Sequence, residues 1–353
     1  MKQQPRLHVS DRPANGAVRH KDDSVIGQIT TALLIAPAVL VAHEVGLFAA
    51  LDAEPLTIDE VCAQFSLRPR AADALLLTAL AAGLVVRQGD DRYLLSEVGA
   101  DYLLRDSPTN WCAYLDYLLS DTRLFSYEGV REALLTDRPQ ARVDQELFEV
   151  HRQNDERAIK FTRWMHSVAV GPAGAWPREV DLTGARRLLD IGGGSGAHAI
   201  GVAQRWTALN VMLLDLPNVC TVADEYIGRA GLSARVSTRP TDMWDESYPA
   251  ADVHFYSQVF HDWSPDECRE LARKSFASLP SGGRIVIHEL LVDDDKCGPP
   301  RAAAVNLLMS MLYARGRQYS GAEIGDILQD AGFTGMRWQH TFGHWGIVVA
   351  DRP

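Results

Sequence analysis

The sequence predicts an α/β protein, with a doubly wound, mostly parallel sheet in the C-terminal half behind an all-helical, winged-helix-like N-terminal domain. Three observations carry this. From Arg186 onward, short apolar strand-like runs alternate with helical ones, the pattern of a parallel sheet with crossover helices. One such run, Leu188-Leu189-Asp190-Ile191, passes straight into Gly192-Gly193-Gly194-Ser195-Gly196. Before residue 105 the pattern is helical and closes on a short hairpin.

The 353 residues are too many for one typical domain and fit about two. The reading divides them into a tail at 1–22, a dimerisation domain at 23–105, linking helices at 106–175 that line a substrate pocket, and a catalytic domain at 176–353. The formal net charge of −11 disfavours nucleic acid and anionic lipid as partners. No apolar run is read as reaching the roughly 18–20 residues of a membrane span. Thr31 to Ala42 is apolar but short and holds Pro37. The first residues lack the apolar core of a secretory signal, so a cytoplasmic protein without membrane contact is expected. Cys62, Cys112, Cys220, Cys268 and Cys297 are scattered without a CxxC pair, which suits reduced thiols better than a disulfide frame or zinc knuckle.

Taken in order, Leu33, Leu34, Val41, Val45 and Leu47 form an apolar helical stripe ending near Gly46. Thr57 and Glu60 have the spacing of a capping box, opening a helix to Phe65. Arg68 to Ala82 is rich in Ala and Leu, and Gly83 stops it. Leu84–Arg87 and Arg92–Leu95 flank the turn Gly89-Asp90-Asp91 as a hairpin. Helix, helix, helix, hairpin is a winged helix, a unit that often reads DNA. Here the recognition-helix candidate from Pro69 to Leu80 is too apolar to read bases, and a dimer interface suits it better. From Trp111 to Ala169 the pattern is helical and aromatic, with Trp111, Tyr114, Tyr117, Phe125, Tyr127, Phe148, Phe161 and Trp164. These serve as helix–helix core and can also wall a pocket for a flat, apolar substrate. The strands expected next are Arg187–Ile191, Val211–Leu214, Val253–Tyr256 and Arg284–Ile287, with a late pair at Met336–Gln339 and Gly346–Ala350. The helices between them are Ala197–Trp206, Asn218–Ala230, Pro265–Leu279 and Gly321–Ala331.

Glycines at 192 and 194 let the backbone approach a ligand at the end of the first strand. A glycine-rich loop alone is a weak signal, and two acids sharpen it. Asp190 beside the loop would repel the pyrophosphate of a dinucleotide but attract the cationic amino group of S-adenosylmethionine (SAM). Asp215 ends the next strand in Leu213-Leu214-Asp215-Leu216-Pro217, where an acid accepts ribose hydroxyls. The bland alternative is a pair of capping aspartates at a tight turn.

The stretch Leu188 to Pro217, with Thr241-Asp242-Met243-Trp244, His261-Asp262-Trp263 and Gln318, resembles the SAM-binding and catalytic signature of the plant and bacterial small-molecule O-methyltransferases, the caffeate and acetylserotonin type. The resemblance covers most of the chain after the first twenty-odd residues. It implies a Rossmann-like SAM-binding domain, S-adenosylhomocysteine (SAH) as product, and a homodimer whose N-terminal domains interlock. By the resemblance, Asp242 and Met243 contact adenine, Trp263 flanks it, and Met165, next to Trp164, faces the substrate. Ser257 stands where the family often has a lysine that contacts the cofactor.

His261 lies at the carboxyl end of the sheet, where ligands bind in open α/β folds. A histidine there can take a hydroxyl proton as the oxygen attacks the methyl group. The resemblance makes His261 the general base and Glu289 the carboxylate that orients it. A second family carboxylate falls on Gln318, which can orient by hydrogen bonding but cannot stabilise an imidazolium by charge. His254 and His288 read as ordinary strand residues, and no metal site is expected. The stretch Asn306 to Gly316, with Met309 and Leu312, is expected to add apolar pocket walls, though both also fit an ordinary helical core.

The reading is methyl transfer from SAM to a hydroxyl of a small aromatic or polyketide-like metabolite, in secondary-metabolite biosynthesis. Methylation of a ring carbon is the alternative on the same scaffold, because a phenolate activates its ring. A non-enzymatic SAM-binding or winged-helix regulator would keep Asp190 and Asp215 yet need no His261. A NAD-dependent dehydrogenase would have to tolerate Asp190 beside the pyrophosphate.

Overall fold

A computed structural model of the chain describes residues 22–139, 152, 154–245 and 247–353. Most of the expected tail, and Phe148, lie outside the described residues. The N-terminal part opens with α1 (Ser24–Glu44), α2 (Leu47–Ala53), β1 (Leu56–Thr57), α3 (Ile58–Phe65), α4 (Pro69–Ala81), the hairpin β2 (Val85–Gln88) and β3 (Arg92–Leu95), and α5 (Glu97–Leu103). The Thr57 hydroxyl accepts the Glu60 N–H while Glu60 takes the Thr57 N–H, so the capping box forms. This satisfies two donors that a helix start otherwise leaves open. Leu47, Phe48, Val61, Leu76, Val85 and Tyr93 make a core of their own, over which β1, β3 and β2 pair antiparallel.

One expectation is corrected here. Ser24–Glu44 is a single helix of 21 residues that runs through Pro37, and it is long and apolar enough to cross a membrane by length and composition. The stretch from Val25 to Ala42 carries no charge; its glycine, glutamine and threonines interrupt the apolar pattern without breaking the helix.

The linking segment comprises α6 (Cys112–Ser120), α7 (Tyr127–Thr136) and α8 (Asp155–Ala175). Its aromatics cluster on Trp164, which stacks on Tyr117 at 4.3 Å and meets Phe161 edge-on.

The C-terminal part contains β4 (Arg187–Ile191), α9 (Ala197–Arg205), β5 (Asn210–Asp215), α10 (Pro217–Arg229), β6 (Val236–Pro240), β7 (Val253–Ser257), α11 (Pro265–Ser278), β8 (Arg284–Leu290), α12 (Pro300–Leu312), α13 (Gly321–Asp330), β9 (Thr334–His340) and β10 (Trp345–Asp351). Among the described residues, the sheet order is β6-β5-β4-β7-β8-β10-β9. The five strands β4 to β8 are parallel. β10 then inserts antiparallel between β8 and β9, so the expected late pair departs from the parallel pattern and closes one edge. Each face of the sheet carries its own apolar layer. Leu188, Val211, Leu213, Phe255 and Val286 pack with α9 and α10, and Ile191, Leu214, Tyr256, Ile285 and Ile287 with α11 and α13. Burial on both faces is the usual state of a parallel sheet. The order reverses beside β4, so the carboxyl ends of β4, β5 and β7 open onto one crevice, the switch point where such sheets bind ligands.

Candidate active site

That crevice is a cavity of about 530 Å³. It is walled on one side by the glycine loop and the ends of β5 and β7, and on the other by α8 and α12. Of the predicted site residues, Gly192, Gly194, Asp215, Leu216, Asp242, Met243, Ser257, His261, Trp263, Trp164, Met165, Met309 and Leu312 line it. Asp190, Glu289 and Gln318 do not; they are buried behind the wall.

The loop follows from backbone needs. Gly192, Gly194 and Gly196 all adopt positive φ, which costs glycine least. A Cβ on Gly193 would lie 2.5 Å from Leu213 Cγ and 2.9 Å from Asp190 Cγ, whereas nothing lies within 4 Å of the Cβ position at Gly194. The loop is thus packed against the sheet at Gly193 and open to a ligand at Gly194. Asp215 braces it, with Oδ2 accepting the Gly194 N–H at 2.8 Å and Oδ1 the Leu216 N–H at 2.7 Å. Burial pushes the Asp215 carboxyl up to about 6 against the pull of these two bonds. A carboxylate on the cavity wall, short of solvent, is suited to accept hydroxyl donors.

Asp190 is buried away from the cavity surface. Burial, with the nearby Asp215 charge, pushes its carboxyl up to about 8, and the Ala199 N–H bonds it from within. It is therefore neutral at pH 7 and sits under Gly193, outside the cavity wall. Its place is to seat the loop on the strand, and an ion pair with a cofactor amine does not follow from this geometry.

Past the end of β6, Asp242 Oδ2 pairs with Arg152, which also lines the cavity, and Oδ1 accepts the Trp244 N–H at 2.9 Å. Trp263 meets Trp244 edge-on at 5.0 Å, and Lys274 donates to the Met243 carbonyl. These contacts fix a flat slot.

His261 sits in a single 3-10 turn, Phe260–Asp262, just past β7. Its Nδ1 is 2.7 Å from Gln318 Nε2 and 3.4 Å from Glu289 Oε2, and its Nε2 is 3.3 Å from Asp262 Oδ1. Both expected partners flank Nδ1, at unequal distances. Gln318 is the close one, and Glu289 Oε1 is occupied by the Val259 and Phe260 N–H groups at 3.1 Å each. Burial pushes Glu289 up to about 8, so near pH 7 it holds the turn mainly as a neutral acid. Burial also lowers His261 to about 4, partly offset by the Gln318 bond. The imidazole is neutral at physiological pH, the state a base requires.

Residues that sequence reasoning missed also line the cavity: Trp345, Ser195 and His198. Trp345 arrives through the β10 insertion, and no local spacing announces it. His198 follows the glycine loop by two residues, a position at which nothing in the pattern distinguishes ligand contact from helix core. Met309 and Leu312 satisfy both readings offered for them, since they pack with Trp164 and Tyr313 and also face the cavity.

An open glycine loop, a carboxylate at the end of the second strand, an aromatic slot and a buried neutral histidine define the site of a SAM-dependent methyltransferase. The chain belongs to the O-methyltransferase family, whose domain model matches residues 127–334, more than half of the protein. It is similar to the 3-hydroxy-5-methyl-1-naphthoate 3-O-methyltransferase of Streptomyces sahachiroi, with 33% identity over 89% of this chain and 90% of that protein. It is also similar to the L-tyrosine C(3)-methyltransferase of Streptomyces lavendulae, with 29% identity over 88% of each. The human N-acetylserotonin methyltransferase, solved in complex with SAM, shares the fold with a TM-score of 0.82 at 22% identity, covering 95% of this chain and 99% of that one.

Proposed function

We propose that the protein methylates a hydroxyl on a fused or substituted aromatic metabolite, with His261 as general base. The observation that carries this is His261 itself: neutral, fixed by Gln318, and facing the same cavity as the glycine loop. The naphthoate enzyme of Streptomyces sahachiroi supports the substrate class and a place in secondary metabolism.

When bound, SAM supplies an electrophilic sulfonium methyl group. Asp215 accepts the ribose hydroxyls, Gly192 and Gly194 open the loop backbone, Asp242, Met243 and Trp263 frame the base, and Ser257 stands beside them at the end of β7. Trp164, Met165, Met309 and Leu312 hold the ring in an apolar wall that excludes water, so alignment supplies much of the rate. For base catalysis the Gln318 amide turns from the placement seen here, in which its Nε2 faces Nδ1, so that its oxygen meets Nδ1–H and Nε2 of His261 is left unprotonated to take the hydroxyl proton. Gln318 and the neutral Glu289 provide no full charge for the resulting imidazolium, which leaves Asp262, 3.3 Å from Nε2, as the carboxylate beside it.

Methylation at a ring carbon is the second reading, favoured by the similarity to the tyrosine enzyme. The N-terminal unit, read as a winged helix without a DNA role, serves a homodimer. Incubating the protein with 13C-methyl-labelled SAM and a panel of hydroxynaphthoates, phenols and tyrosine tests all of this. A methyl carbon shift typical of an ether supports oxygen, and one typical of an aryl methyl supports carbon. His261→Ala should lower turnover about 10²- to 10⁴-fold while SAH still binds in calorimetry. Unchanged turnover would remove the base assignment.

A further inference from the structure

α12 gives the cavity Arg301, Ala304, Val305, Leu308, Met309 and Leu312. At 1.5 Å per residue, Arg301 and Leu312 stand about 16 Å apart along the helix axis. The helix therefore runs along the cavity, apolar for most of its length and cationic at its start. Among the described residues, Arg301 is the one charged side chain that α6, α8 and α12 contribute to the cavity. The two ends of α12 are fixed differently. Just past its last residues, the Arg317 N–H donates to the His261 carbonyl at 2.8 Å, and a Cβ on Gly316 would lie 2.8 Å from the same oxygen. Its first turn is far from that histidine. Ala302, next to Arg301, packs with Leu290 at the end of β8 and Trp345 at the start of β10. Asp215 and Asp242 follow β5 and β6, on the other side of β4 and β7 in the sheet order, so Arg301 stands in the half of the cavity away from them.

The guanidinium is turned toward the aromatic wall. Its Cζ lies 5.7 Å from the centroid of the Trp111 ring, Trp111 meets Tyr114 edge-on at 5.2 Å, and both rings line the cavity. Burial pushes the Tyr114 hydroxyl up, and the Arg301 charge pulls it part of the way back. Tyr114 thus keeps its proton at neutral pH and can donate it to an acceptor. Neither group is used up by the protein. Among the described residues, no carboxylate pairs with Arg301 and no hydrogen bond engages the Tyr114 hydroxyl. Arg301 is exposed, and the Tyr114 hydroxyl keeps accessible surface. Nor does helix stability call for this arginine. It stands in the first turn of α12, which holds no acidic residue, and a cation there meets the positive end of the helix dipole.

We propose that Arg301 and Tyr114 bind a carboxylate on the substrate, at the end of the ring system remote from the hydroxyl that meets His261. The planar guanidinium fork matches a carboxylate through two parallel N–H···O bonds, and the Tyr114 hydroxyl supplies a further donor beside it. The apolar length of α12 between Arg301 and Leu312 takes the rings. The substrate class narrows from a hydroxylated aromatic to a hydroxylated aromatic acid. A net charge of −11 opposes an anionic substrate at long range. A local cation on an otherwise apolar wall offsets that, and it favours the acid over its ester or the bare ring.

The inference rests on the aromatic-substrate reading, and the probes keep the two apart. In the SAH complex of the full chain, calorimetry compares two acids, each with its methyl ester, and 2-naphthol. In 6-hydroxy-2-naphthoic acid the carboxylate lies across both rings from the hydroxyl; in 3-hydroxy-2-naphthoic acid it adjoins the hydroxyl. The remote acid should bind about tenfold or more tightly than its ester, and the adjacent acid should show little preference over its own. In Arg301→Gln the remote-acid preference should fall to within about twofold, while SAH affinity, 2-naphthol affinity and melting temperature stay as in the wild type. Arg301→Lys should keep part of the preference, because the charge remains without the fork, and Tyr114→Phe should lower it without abolishing it. A wild type that binds 2-naphthol and both esters yet prefers neither acid overturns the carboxylate anchor alone. So does a preference that persists in Arg301→Gln, and a preference confined to the adjacent acid overturns the remote placement. If no naphthalene probe binds at all, the aromatic-substrate reading fails and the anchor falls with it.

Discussion

Two side chains set the chemistry at the scale of single residues, one through its own titration and one through that of the histidine it touches. Asp215 rises to about 6 because burial outweighs the Gly194 and Leu216 bonds. Hydroxyl donors prefer its ionised form, so protons compete with the ligand below that value. SAH affinity measured by calorimetry should be flat above about pH 7 and weaken by roughly tenfold per pH unit below pH 6; Asp215→Asn should bind weakly at every pH. A wild-type affinity constant down to pH 5 would show that Asp215 does not meet the ligand as a carboxylate. The second case is Gln318, 2.7 Å from His261 Nδ1. Replacing its amide by a carboxylate adds a partner that favours the imidazolium. Gln318→Glu should therefore raise His261 from its depressed value of about 4 by one pH unit or more in an NMR titration. A stationary His261 would mean that burial alone sets its proton affinity.

Among elements, the decisive contact is between α8, which brings Met165 and Trp164 to the cavity, and α9, which starts at the glycine loop. Gly201 lets them meet, for a Cβ there would lie 2.3 Å from the Ala173 carbonyl oxygen. Backbone cannot retreat as a flexible side chain can, so Gly201→Ala should cost roughly 3 kcal/mol of stability and weaken both SAH and aromatic binding. A melting temperature within a degree of wild type would show that the helices separate freely. How far this architecture is legible in sequence depends on whether its signals are local. The capping box at Thr57 and Glu60, the strand from Arg187 to Ile191 and the glycine loop are local, and they appear where expected. β6 escaped notice because Val236 is its one buried apolar residue, and Ser237, Thr238, Arg239 and Pro240 give no alternation. α12 is apolar around its circumference, so periodicity marks residues of a core without marking the helix. Gln318 was legible as a departure, but its rank ahead of Glu289 depends on how a distant loop packs. The place of Trp345 in the cavity depends on β8 and β10 lying side by side, a fact of sheet order that no spacing within the sequence records.

For the whole molecule, the unsettled element is α1. It packs on α2, α4 and α6, yet among its residues only Ala42 is buried. Ile26, Ile29, Leu33 and Leu34 are 60–76% exposed. A helix apolar on every side is ordinarily buried, and exposed patches of this kind mark interfaces. Two covers fit its length and composition: a second copy of the chain or a lipid bilayer. The first agrees with the homodimer of interlocking N-terminal domains that the family resemblance implies, and with His43, which ties α1 to α6 through Asp116 at 2.8 Å and so holds the helix to the protein surface. The net charge of −11 disfavours anionic lipid. The double variant Leu33→Asp, Leu34→Asp places two charges on the exposed side without touching a buried residue. It should convert a dimer into monomers in sedimentation velocity, with the melting temperature lowered and SAH binding retained, because the cavity is lined by residues beyond 110. A wild type that sediments as a monomer and floats with neutral phosphatidylcholine vesicles would assign α1 to a membrane instead. A double variant that stays dimeric would place the interface on another face.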